Sequence, residues 1–215
     1  MLTKPSKDTF YLELGQLTSN KLDHLMSSFD NLPPNPYADG AFRLRRYSRF
    51  TFAQGQLTRL PSQAFVQDES INHFQGNVVR CYEDIDDHTT LDPAFIELFE
   101  HFQTMAHVAD KAPIEVHQLR ILADHQSVEA APEGIHQDGF DRIGIYVMKR
   151  HNIQGGNINI HLTANSPALI SHDFDKGEFV VLNDRKFFHS AQPIQPINGD
   201  KGFMDVFVLT ANLMH

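Results

Sequence analysis

"APEGIHQDGFDRIGIYVMKR", residues 131–150, decides how this chain is read. An apolar, buried-looking strand opens here on His136-Gln137-Asp138. On a strand, residues i and i+2 face the same side, so His136 and Asp138 point together into one space. One imidazole and one carboxylate give a metal ion two ligands, and a third must come from elsewhere. In a jelly roll a late strand lies beside an early one, so a distal histidine can close the set. With 13 histidines in 215 residues, a His-x-Asp arises about once by chance, so the tripeptide alone also reads as ordinary polar residues at a strand end. Its context adds weight. Pro132 and Gly134 precede it, Gly139 follows it, and a strand comes next. His189 sits in "RKFFHSAQPI", after the strand-like "EFVVLN" and before a final strand.

The bulk numbers fit one domain of ordinary size. The chain is 41% hydrophobic and 21% charged, a globular composition. Its net charge of −9 argues against a large nucleic-acid surface. Cys81 is the single cysteine, which excludes an internal disulfide and suits a reducing compartment. No long apolar run suggests a leader or a membrane span, so the sequence reads as a soluble cytoplasmic protein.

No repeats or low-complexity linkers interrupt the chain. "LTSNKLDHLMSSF" has helical spacing, with Ser19 or Asn20 as caps, and "LPPNPYADG" at 32–40 is turn-rich. "AFRLRRYSRFTF" and "GNVVRCYEDI" (76–85) read as strands. "LDPAFIELFEHFQTMAHVAD" (91–110) is the best helix. Asp92 can cap it, Pro93 suits its first turn, and Phe95, Leu98, Phe99, Phe102 and Met105 form one stripe. From about 111 onward short strands alternate with turn signals such as Gly155-Gly156 and Asn198-Gly199. The expectation is a single mainly β domain with flanking helices: a helical N-terminal part over about 1–110 and a β core over about 111–215, built as a sandwich or barrel.

Two histidines and one carboxylate on one face of an ion leave the opposite positions open, as in non-haem Fe(II) oxygenases. The segments "FRLRRYSRF" (42–50), "VHQLRI" (116–121), "PEGIHQDG" (132–139), "NIQGG" (152–156), "HSAQPI" (189–194) and "GFMDVFVLT" (202–210) together resemble the 2-oxoglutarate/Fe(II)-dependent dioxygenases, in particular the free amino-acid hydroxylases akin to L-isoleucine 4-hydroxylase. The resemblance implies a double-stranded β-helix, a form of jelly roll. It makes His136, Asp138 and His189 the iron ligands. It also implies the cofactors Fe(2+) and 2-oxoglutarate, the co-reactant O2, and an enzyme that couples decarboxylation of 2-oxoglutarate to hydroxylation of a free amino acid or similar small carboxylate. Neither nucleic acid nor membrane figures among the partners.

A dicarboxylate cosubstrate needs a cation for its far carboxylate. The relatives carry an arginine for this on the last strand, and here the matching position is Met204. Arg120 in "VHQLRI" is the first substitute, followed by Arg142, Lys149 and Lys201; Asn157 and Ser190 join Arg120 and Met204 in the expected cosubstrate pocket, and Asp141 is a further neighbour of the ligands. For the substrate, Arg45 (among Arg43, Arg45 and Arg49) can grip a carboxylate, and Phe140 or Phe188 can wall the site. His172-Asp173 reads as a solvated turn pair rather than a second metal site. Met204 keeps two alternatives open: a non-catalytic small-molecule-binding or regulatory protein on the same scaffold, and a metal-dependent oxygenase using another cosubstrate.

Overall fold

The computed structural model describes residues 6, 8–18 and 22–214. Strands dominate. A seven-stranded antiparallel sheet runs β1 (Leu12–Gln16), β9 (Glu178–Leu182), β5 (Arg142–His151), β12 (Gly202–Ala211), β4 (Pro113–Ala123), β2 (Arg43–Ala53), β3 (Gln56–Arg59). Opposite it lies a three-stranded sheet, β10 (Phe188–Ala191), β7 (Ile158–His161), β8 (Ala168–His172). A ribbon of β11 (Ile194–Pro196) with β6 (Ile153–Gly155) accompanies it. This is a double-stranded β-helix. The N-terminal part is not only helical, because β2 pairs with β4 along Arg43–Thr51 and so completes the main sheet.

The period-2 alternation of the long strands sorts two cores. On β5 and β12, Tyr146, Met148, Phe207 and Leu209 point outward to the helices. Ile143, Ile145, Val147, Met204 and Val206 point inward between the sheets. The helix α3 (Pro93–Ala106) covers the outer face with buried Phe95, Leu98, Phe99 and Phe102, while Met105 is only partly buried. Asp92 accepts the Ala94 N–H at 2.8 Å and caps its start, and His107 ends it in the left-handed conformation (φ 55°). Each buried phenylalanine contributes roughly 1.5–3 kcal/mol. Gly144 lies beneath this helix, where a Cβ would meet Phe102 and Tyr146 at 2.8 Å.

Three sequence expectations change. The first helix is short, α1 (Leu22–Met26) running into a 3₁₀ turn at Ser27–Phe29, and its expected caps Ser19 and Asn20 lie outside the described residues. The segment 76–85 forms no strand beyond a single bridge between Phe65 and Arg80. Its valines Val78 and Val79 face solvent, whereas Arg80 turns inward, stacks on Phe65 at 4.7 Å and donates to Gln67 at 2.8 Å. Finally, β5 begins only at Arg142, so His136 and Asp138 stand in the loop before the strand rather than opening it. The reading of His172-Asp173 as a solvated pair holds, with exposed His172 at the end of β8 3.1 Å from Glu178 and exposed Asp173 2.6 Å from Arg150.

Candidate metal centre

His136 and His189 meet across an isolated antiparallel bridge, each N–H donating to the other's carbonyl at 2.9 Å. This tie holds the loop before β5 against β10 and brings the ring centroids to 4.3 Å. Asp138, two residues on, turns its carboxylate to the same space. His136 Nε2 lies 3.9 Å from Asp138 Oδ1, and His189 Nε2 lies 3.6 Å from Asp138 Oδ2. All three ligand atoms fall within 4.8 Å of one another. Donors about 2.1 Å from one ion sit up to about 4.2 Å apart, so the spacing suits a divalent ion after small rotations.

The donors also have the right chemistry. Burial, then His136 and His161, hold the His189 pKa well below its ordinary value, so its ring is the neutral imidazole a metal requires. The His136 Nδ1–H donates to the Gly134 carbonyl at 2.9 Å, which leaves the Nε2 lone pair for an ion. Burial raises the Asp138 pKa, and Glu133 adds to that, against the opposing pull of His136, Arg45 and Arg43. A divalent cation would remove this penalty.

The triad opens on a cavity of about 890 Å³, its mouth included. The inner face of the main sheet supplies Leu119, Ile121, Ile145, Met204 and Val206. The same face turns charged at its β2 end, where Arg43 pairs in register with Ile121 and Arg45 with Leu119. Arg43 and Arg45 on β2, with Arg80, turn guanidinium groups to the cavity beside Glu133 and His117. Arg43 lies 3.4 Å from Asp39 and 3.5 Å from Glu133, and Arg45 lies 3.8 Å from Asp39 and 3.1 Å from the Tyr82 hydroxyl. Burial disfavours the Glu133 carboxylate, but Arg43 and His136 outweigh it and hold its pKa below the ordinary range. Arg43, Arg45 and Arg80 thus gather at one end of the ligand space, beside Glu133 and Asp138.

Of the other residues singled out in the sequence, Met204, Ser190, Arg45 and Phe140 line this cavity. Met204 is 3% exposed, and the Ser190 hydroxyl contacts His161 Nε2 at 3.0 Å. Arg120 does not reach it. Its neighbours Leu119 and Ile121 point inward, so strand parity turns Arg120 outward, where it holds Asp205 at 2.6 and 2.8 Å and Asp30 at 3.1 Å. The remaining cation candidates also point elsewhere. Arg142 donates to the carbonyls of Ala106, Asp141 and Ser6; Lys149 lies over Phe203; Lys201 pairs with Asp124. Asn157 does not line the cavity; its carbonyl accepts the Gln192 N–H at 2.9 Å. Asp141 accepts from Arg185 and from the Leu213 N–H, Arg49 faces Glu115, and Phe188 stays off the cavity wall.

Sequence reasoning missed Gln67, Arg80 and Asp184. Gln67 donates to the Asp138 carboxylate and carbonyl, both at 3.4 Å, while its own oxygen accepts from Arg80 and Asn72. Only an inward turn of the 76–85 segment, invisible in its β-like composition, brings Arg80 here.

A sequence model described as 2OG-Fe dioxygenase matches residues 26–210. The chain belongs to that family. Fe(II) and 2-oxoglutarate are therefore its cofactors, and the chain is an oxygenase acting on a small molecule with O2. Three solved structures share the fold. A bsmA homolog from Methylobium petroleophilum PM1 aligns with a TM-score of 0.78 and 22% identity over 90% of this chain and 81% of its own. IDO from Bacillus thuringiensis gives 0.75 and 18% over 95% and 91%. The Fe(II)/α-ketoglutarate-dependent dioxygenase TqaL gives 0.65 and 18% over 91% and 76%. No curated protein matches. Among the described residues no helix is long and apolar enough to cross a membrane.

Proposed function

We propose that this 2OG-Fe dioxygenase hydroxylates a free amino acid or a similarly small carboxylate, with His136, Asp138 and His189 holding Fe(II). The bound iron and cosubstrate supply the oxidising chemistry: O2 and 2-oxoglutarate are consumed, succinate and CO2 leave, and one oxygen atom enters a C–H bond of the substrate. The chain's own residues do the rest. The triad binds one face of the ion and leaves the other face to ligands. Phe140 and the aliphatic wall of Ile145, Val206 and Leu119 exclude water from the reacting face. Ser190 and Met204 border the expected cosubstrate end.

One observation carries the substrate class: on one sheet face beside the triad, the β2 arginines stand next to the apolar side chains of β4, β5 and β12. A small amphiphile with a carboxylate fits that polarity, its charge on Arg45 and its carbon chain toward the triad. The test is a panel of free amino acids scored by succinate release, with Arg45→Ala alongside. Substrate-dependent succinate and a raised KM in the variant support the reading. A blank panel with active turnover of a bulkier or uncharged compound would overturn it.

Met204 favours a second reading, a ligand-binding member without turnover, because the β12 end of the cavity offers thioether and alkyl surface in place of a charge. Any succinate release separates the two.

A further inference from the structure

We propose that Asp184 is the positioning residue of the metal centre, one carboxylate fixing two of its ligands at once. The proposal rests on the metal reading of the triad. Asp184 follows β9, 46 residues after Asp138, and its side chain is 1% exposed. One oxygen, Oδ2, accepts three successive backbone N–H groups: Asp138 at 2.9 Å, Gly139 at 2.8 Å and Phe140 at 3.3 Å. Converging N–H groups of this kind form an anion nest, and here they wrap the chain around the ligand Asp138. Gly139 makes the wrap possible with φ +89°. Gln137 ties the same loop to the Asp184 and Phe187 carbonyls.

The other oxygen, Oδ1, faces His189 Nδ1 at 3.7 Å. Both atoms are buried, and neither has a hydrogen-bond partner among the described residues. A buried acceptor and a buried ring nitrogen left facing each other are costly unless the proton lies between them, and a small rotation closes the gap. Burial and Asp138 push the Asp184 pKa up, but the three N–H groups gathered on Oδ2 favour the carboxylate form. With Oδ1 as acceptor the proton belongs on Nδ1, and the Nε2 lone pair points at Asp138, where the metal binds. Asp184 thus sets the tautomer of one ligand and the backbone of another, a role no ligand motif in the sequence announces.

Asp184→Asn tests this. The asparagine oxygen can keep the three backbone N–H bonds, but its amide can only donate toward His189 Nδ1. His189 must then carry its proton on Nε2, the metal side. The readouts are the ring ¹⁵N shifts of His189 in metal-free protein and a Co(II) titration. The expected result is an Nδ1–H ring in the wild type, an Nε2–H ring in the variant, and Co(II) binding weakened about 10–100-fold with the metal-free fold retained. An Nε2–H ring in the wild type, or a variant with an Nδ1–H ring and unchanged Co(II) affinity, would overturn the role; if the variant does not fold, the wild-type tautomer decides alone. Wild-type protein with an Nδ1–H ring that takes up no Co(II) would also overturn it, and would place the error in the metal reading rather than in the contact.

Discussion

His136 and His189 are joined through their main chains, not their side chains: each N–H bonds the other's carbonyl at 2.9 Å, while the two rings stand 4.3 Å apart. The scaffold of the site is thus independent of the groups that would bind metal. His136→Ala and Asp138→Ala should each keep the fold, as read by circular dichroism, while weakening Co(II) or Fe(II) binding by at least about 100-fold and abolishing turnover. Unchanged metal affinity in both would remove the triad from the account.

Position 204 separates cosubstrate binding from stability. Met204 is buried and pairs in register with Ile121 on β4, two strands from Arg43. Met204→Arg puts a guanidinium into apolar surroundings, so the ligand-free protein should melt lower than the wild type. Adding 2-oxoglutarate should raise its melting temperature more than it raises that of the wild type, because the new cation pairs only with a bound anion. The control is 2-oxopentanoate, which lacks the far carboxylate and should give no extra rise.

His117 predicts an acid weakness. It is buried against Tyr47 and Phe65, and burial, then Arg45, Arg80 and Arg43, push its pKa well below the ordinary 6.5. Above pH 6.5 the ring is neutral in both folded and unfolded chains and costs nothing. As pH falls below 6.5 the unfolded chain gains a proton that the folded one does not, so stability drops by up to about 1.4 kcal/mol per pH unit. Urea unfolding between pH 7.5 and 5.5 should show a smaller loss for His117→Gln than for the wild type. Equal losses would assign the acid sensitivity elsewhere.

Much of this was legible in the chain. The Phe95–Phe102 stripe, the Asp92 cap and the alternation of β5 and β12 come from local periodicity, which a sequence displays. The His-x-Asp pair is local as well. Arg120 shows the limit: its parity relative to Leu119 and Ile121 turns it outward, but which parity faces the cavity depends on the opposite sheet. Arg80 and Asp184 were hidden for another reason. Arg80 enters from an irregular loop, and Asp184 reaches Asp138 across 46 residues, so only tertiary structure joins them to the site.

The most direct measurement is an anaerobic Fe(II) titration of the metal-free protein, with and without 2-oxoglutarate, following the visible charge-transfer absorption of the iron–oxo-acid chelate. One Fe(II) should bind per chain, the absorption should appear only when 2-oxoglutarate is added, and both should be lost in His136→Ala. Fe(II) binding that survives His136→Ala, or a wild-type protein that binds no iron, would contradict this.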